Sequence, residues 1–224
     1  ACQVAFYFKQ HKPRAKVLVL DANPDIVSKK GLFLKAWADR YPGLVEYRPN
    51  SELVSVDAAT NTLELQFEKV RAGVLNVVPP QQAGKIAQTA GLITANKRWC
   101  GVDWRTLESV AVPGVHVLGD ATLSAPGMPK SGFMANNQAK VAADAVIALL
   151  TGRTVNPEPI LANTCYSFVS DTDVVHVASV HKYDAKEKTL VPVPGAGGLS
   201  PEANAAEGIY ARAWARNIWA DMLL

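Results

Sequence analysis

The chain has 224 residues, 49% of them hydrophobic and 19% charged, with a formal net charge of +3. Such a chain can form one large or two small cores. The charge is too small and too dispersed for a nucleic-acid footprint, and no run of about 18 apolar residues offers a membrane span. Three cysteines (Cys2, Cys100, Cys165) and four histidines show no metal-ligand spacing.

In chain order, residues 1–11 read as a helix with Cys2, Val4, Tyr7 and Phe8 as its buried contacts, closed by Pro13. It opens without Met, leader or N-cap, so the chain is expected to be truncated there, and no leader reports its compartment. Residues 16–21 are a continuous apolar run ending in Asp21, followed by Asn23-Pro24, the pattern of a buried parallel strand and its turn. Asp21 could hold a nucleotide ribose, but the glycine-rich turn that would accompany it is not in the sequence, and loop hydrogen bonding is its expected role. Residues 28–41 form a helix around Leu32, Leu34, Ala36 and Trp37. Strands follow at 45–47, 53–56, 62–67 and 74–78, with a hairpin tip at Ala59-Thr60-Asn61. The last strand leads into Pro79-Pro80-Gln81. A short helix spans 83–90 and stops at Gly91.

The chain is organised around Val115-His116-Val117-Leu118-Gly119-Asp120-Ala121, read as a short buried strand ending on Gly-Asp. The loop Pro126-Gly127-Met128-Pro129-Lys130 turns back, and a helix starts near Ser131 and stops at Gly152. Its apolar stripe is expected at Ala135, Ala139, Ala142, Ala143, Val146 and Leu149. The unit brings a carboxylate, able to accept from sugar-like hydroxyls, close to a helix start whose N–H groups favour anionic oxygens. A flavin needs both. A strand-loop-helix with a merely capping Asp would carry the same Gly-Asp, and Lys130 could equally face solvent. Beyond 156, strands are expected at 166–169 and 174–180, a Gly/Pro loop at 193–200, and a last helix at 202–224 with Trp214 and Trp219.

Gly-Asp-Ala at 119–121, Gly127-Met128-Pro129-Lys130-Ser131-Gly132, Ala135-Asn136-Asn137-Gln138 and Asn163-Thr164-Cys165-Tyr166-Ser167 resemble the flavoprotein subunit of flavocytochrome c sulfide dehydrogenase, in its C-terminal portion. The resemblance implies an α/β fold, part of a glutathione reductase-like flavoprotein with two dinucleotide-binding domains plus a small α+β C-terminal domain. On that basis 1–72 is the end of an NAD-binding-like domain of Rossmann type, 73–155 a second segment of the FAD-binding domain, and 156–224 a C-terminal interface domain.

The same resemblance implies FAD held by Gly119, Asp120, Lys130, Ser131, Gly132 and Phe133, with Pro80 and Gln81 nearby. Phe133 stands where the family is expected to carry tyrosine. Cys165 matches the second cysteine of a redox-active disulfide, whose first cysteine is expected upstream of Ala1. Trp214 matches a tryptophan close to that disulfide and the flavin. The implied activity is oxidation of hydrosulfide to sulfur or polysulfide, with electrons passing to a haem on a cytochrome c subunit in the periplasm. Two alternatives stay open: a sulfide:quinone oxidoreductase, or an inactive fragment that docks a partner.

Overall fold

A computed structural model of the chain describes residues 1–223; Leu224, at the end of the expected last helix, lies outside them. The chain is mixed α/β and divides into two compact units. One comprises Ala1–Pro79, Tyr166–His176 and Leu199–Leu224, the other Pro80–Cys165 and Val177–Gly198.

In the first unit, α1 (Cys2–His11) precedes β1 (Val17–Leu20), α2 (Lys30–Arg40) and β2 (Val45–Arg48). β1 and β2 pair in parallel with Val17 opposite Val45, so the expected βαβ piece forms. A small antiparallel meander follows: β3 (Leu53–Asp57), β4 (Thr62–Leu65) and β5 (Lys69–Arg71). Asp57 fixes its first turn by accepting the Ala59 N–H at 2.9 Å, an Asx arrangement.

The core of this unit is Cys2, Ala5, Ala36, Tyr41, Val169 and Val175, with Phe33, Trp37 and Val45 packed on it. The α1 face differs from the expected one. Of the expected contacts Cys2 is buried, joined by Ala5, whereas Val4 and Tyr7 are about half exposed. The small residues let the helix approach closely. The hydroxyl of Tyr41, buried to 2% exposure, donates to the carbonyl of Val169.

Residues 74–78 form no strand; Val74 and Val78 are exposed. The segment runs into two prolines, which cannot donate to a ladder. The unit closes with α5 (Ala205–Leu223), whose Gly208 passes so near the Thr172 carbonyl that a Cβ would collide with it. Ser200 donates to Glu207 Oε2 at 2.7 Å, His176 Nδ1 lies 2.9 Å from the same oxygen, and Asn204 donates to Oε1 at 3.2 Å. Burial pushes the Glu207 carboxyl up, but these hydrogen bonds outweigh it and hold the group below its ordinary value.

The second unit contains α3 (Lys85–Thr89), β6 (Ile93–Ala95), β7 (Trp99–Cys100) and the long α4 (Gly132–Thr151). Two apolar clusters support it: Ala83, Ala87, Leu92 and Cys100 form one, and the other gathers Trp104, Leu107, Met128, Met134, Leu161 and Leu190. Each large side chain fully buried there contributes roughly 1.5–3 kcal/mol. The three strands β8 (Ile160–Phe168), β9 (Val174–Asp184) and β10 (Thr189–Leu199) form a sheet in the order β10-β9-β8, and the chain passes between the units within these strands.

Three expectations for this unit are corrected. Residues 115–118 are extended but not a strand. Their ladder contact is a single bridge between His116 and Glu108, and Val115 and Leu118 are exposed by more than a third. The Gly/Pro stretch 193–199 belongs to a strand, not a loop, because its glycines permit a contact no other residue would. A Cβ on Gly197 would overlap the Ala178 carbonyl. On α4 the buried stripe is Met134, Gln138, Ala142, Ala145 and Ala148, turned away from Ala143 and Leu149. Alanine reads as apolar on every face, so spacing alone set the phase wrongly.

Candidate functional site

The site is built on the start of α4. Ser131 is its N-cap in extended conformation (φ −150°, ψ 153°), and its Oγ accepts the Met134 N–H at 3.1 Å. Gly152 ends the helix in the left-handed region at φ 70°. Both boundaries follow the sequence reading. The first-turn N–H groups of such a helix have no acceptor within it and carry its positive end.

Against this start lies the single 3₁₀ turn Gly119–Ala121. Gly119 has φ 71°, and an added Cβ would stand 3.4 Å from that of Ala135, so turn and helix meet closely at a glycine. The Gly119 N–H donates to Gln138 Oε1 at 2.5 Å, pinning the turn to the second turn of α4. Gln138 is buried to 3% exposure, so this polar bond sits inside the packing. Asp120 is on the exposed side of the turn.

Lys130 braces the turn from the loop. Its ammonium donates to the Asp120 carbonyl at 3.0 Å and to the Thr122 carbonyl at 2.5 Å, and lies 3.9 Å from the centre of the Trp99 ring. Desolvation pulls its pKa below that of an ordinary lysine. Arg98 stacks on the same indole at 5.2 Å, and its guanidinium donates to the Gln81 carbonyl. Gln81 is thereby tied through Arg98 and Trp99 to Lys130. Pro80 and Gln81 are both exposed, in an irregular segment before α3. Phe133 is half-buried on the first turn of α4, its carbonyl accepting from Asn137 Nδ2 at 3.0 Å.

Cys165 connects to the same helix start through one side chain. Ser131 donates to Asn163 Oδ1 at 2.5 Å, and Asn163 Nδ2 donates to Cys165 Sγ at 3.3 Å. Asn163 is 2% exposed and Cys165 half-buried. Gly119, Asp120, Lys130, Ser131, Gly132, Phe133 and Cys165 therefore share one unit. Trp214 belongs to the other, with its ring 6.5 Å from that of Tyr166.

Cys2 and Cys100 sit in separate apolar clusters, and burial raises both thiols. Cys2 also accepts the Trp37 indole N–H at 3.2 Å. Asp21 Oδ1 accepts from Asn23 and Oδ2 from the Tyr47 hydroxyl at 3.0 Å, the loop role expected of it. It borders a cavity of about 420 Å³ in the first unit, walled by Phe33, Trp37 and Phe168. Sequence reasoning missed Asn163, Trp99 and Arg98, whose partners are set by tertiary contact. The only available hint of Asn163 was its place two residues before Cys165.

Whether a flavin fits can be judged from these donors and acceptors. The crevice between turn and helix is too tight to enclose a ring. Its rim offers an exposed carboxylate at Asp120 and the positive end of α4, the pair that a ribityl chain and an electron-rich ring edge require. These residue types suit the hydroxyls and the ring edge of a flavin at the rim and not inside the crevice.

Two family models match the chain. "Sulfide dehydrogenase [flavocytochrome c] flavoprotein chain, central" matches residues 1–79, and "Flavocytochrome c sulphide dehydrogenase, flavin-binding" matches residues 157–223. Among solved structures, the chain is similar to one in the Tetrahymena thermophila mitochondrial ATP synthase F1Fo composite tetramer. That likeness has 22% identity and a TM-score of 0.57, covers 80% of this chain and 45% of the other, and concerns the fold alone. Weaker likenesses are to reduced Bacillus anthracis CoADR-RHD (13% identity, TM-score 0.46, 88% of this chain and 42% of the other) and to an engineered water-forming NADPH oxidase (12%, 0.45, 91% and 52%). The chain thus spans about half the length of the structures it matches. Among the described residues no helix is long and apolar enough to cross a membrane.

Proposed function

This chain belongs to the family of the flavoprotein chain of flavocytochrome c sulfide dehydrogenase, and on that premise we propose that it oxidises hydrosulfide at Cys165, beside FAD held at the Asp120–Ser131 rim. Electrons pass to a cytochrome c subunit, in the periplasm. The observation that carries this reading is the Ser131–Asn163–Cys165 chain of hydrogen bonds, which sets the sulfur two bonds from the helix start that faces the rim.

Bound there, the flavin supplies a two-electron acceptor that can release electrons singly. The Asp120 carboxylate would accept from the ribityl hydroxyls. The Gly132 and Phe133 N–H groups and the partial charge at the α4 start, about +0.5, favour negative charge at the ring edge. Lys130 adds a cation there while its two carbonyl contacts hold the turn in shape. Gln81, which accepts from Arg98, is linked to Lys130 through the Trp99 ring, and Pro80 precedes it in the same segment.

Cys165 supplies one sulfur of a redox-active disulfide. Hydrosulfide attack forms a new S–S bond to one sulfur, breaks the old one, and releases the other sulfur as a thiolate. Cys2 and Cys100, packed in apolar clusters, take no part.

The test uses the complete flavoprotein. Cys165→Ser is expected to keep its flavin absorbance and lose bleaching by hydrosulfide. Retained bleaching would remove Cys165 from the reaction.

A further inference from the structure

We propose that Asn163 is a positioning residue for the sulfur chemistry: its side-chain amide, oriented by Ser131, serves the Cys165 sulfur both as thiol and as thiolate. This rests on Cys165 being the reacting sulfur.

The orientation of the amide follows from counting protons. The Ser131 hydroxyl accepts the Met134 N–H at 3.1 Å, so its own single proton is left to donate. It donates to Asn163 Oδ1 at 2.5 Å. The oxygen of the amide is thereby assigned to the serine side, and Nδ2 is turned to the sulfur at 3.3 Å. Asn163 is buried, so water does not compete for either end.

The same amide offers a second contact. Sγ lies 3.5 Å from Oδ1, within reach of an S–H donated to that oxygen. A thiol can donate to Oδ1, and a thiolate, which has only lone pairs, can accept from Nδ2. The sulfur changes protonation state without moving and without leaving a buried group unpaired. During disulfide exchange the sulfur that leaves as a thiolate meets a donor already in place. The bond from Nδ2 strengthens when the sulfur becomes charged, which stabilises that thiolate as the leaving group.

The fixed orientation also joins the sulfur to the flavin rim. The hydroxyl that caps α4 is the one that aims the amide, so helix start and thiol share one hydrogen-bonded chain. Cys165 thereby has a built environment that neither Cys2 nor Cys100 shares.

The test is the pH–rate profile of Cys165 alkylation in the complete flavoprotein. The protein is reduced under argon, treated with iodoacetamide, and read by mass spectrometry of the Cys165 peptide. Asn163→Asp replaces the donor with a like-charged acceptor. Alkylation at pH 7 is expected to slow about tenfold, the profile moving to higher pH with its plateau unchanged. Asn163→Ser removes the amide without adding charge and decides the matter if the carboxylate variant does not fold. Its profile is expected to move the same way by less.

A rate that changes equally at every pH, or a profile that stays in place, would overturn the proposal, since loosened packing alone alters access and not proton affinity. Failure of the underlying reading looks different: the Cys165→Ser protein would still be bleached by hydrosulfide.

Discussion

Replacing Ser131 by alanine removes two contacts at once, and their sizes can be separated. The first is the cap on α4, worth about 1 kcal/mol when Ser becomes Ala. The second is the proton given to Asn163 Oδ1, in a side chain that is 2% exposed. Leaving that acceptor with only the weak S–H of Cys165 costs a further 1–2 kcal/mol or so. Ser131→Ala is therefore expected to destabilise by about 2–3 kcal/mol. Ser131→Gly keeps most of the capping, since glycine costs only a few tenths at that position, and isolates the Asn163 contact at about 1–2 kcal/mol. Ser131→Thr retains both contacts and should stay close to wild type. The assay is urea denaturation followed by far-UV circular dichroism, comparing midpoints at constant slope. An alanine variant within about 0.5 kcal/mol of wild type would refute the reasoning.

Gly119→Ala forces a side chain into the left-handed region, at about 1–2 kcal/mol, and should loosen flavin retention measured by gel filtration. Tyr41→Phe leaves the Val169 carbonyl without its buried donor and should cost about 1–2 kcal/mol in the same denaturation assay. Glu207 has a carboxyl held below its ordinary 4.5, so its contribution is present above that value and is lost as pH falls through the lower, folded one. The Glu207→Gln protein should accordingly show a flatter fall of stability in acid, read by denaturation across pH 3–6 (approximate limits).

What the residues revealed beforehand depended on whether the signal was local. Helix α4 was legible at both ends because Ser131 and Gly152 act within one turn of themselves. The β1-α2-β2 piece was legible because an apolar run closed by Asp21 leaves few other structures. Residues 74–78 and 115–118 carry similar apolar composition, yet a strand needs a partner, and composition does not reveal one. At 193–199 glycine and proline suggested a loop, whereas the glycines there serve close backbone approach. The turn and helix start of the site could be read in order along the chain. Asn163 could not, because its contact to Ser131 joins positions 32 residues apart. Trp99 and Arg98 escaped for the same reason.

The most direct trial of the whole account is a crystal structure of the complete protein with its flavin bound. The ribityl hydroxyls should hydrogen-bond to the Asp120 carboxylate, the ring edge should face the Gly132 and Phe133 amides, and the Cys165 sulfur should contact the ring. A flavin whose ribityl chain lies away from Asp120, with Cys165 remote from the ring, would contradict it.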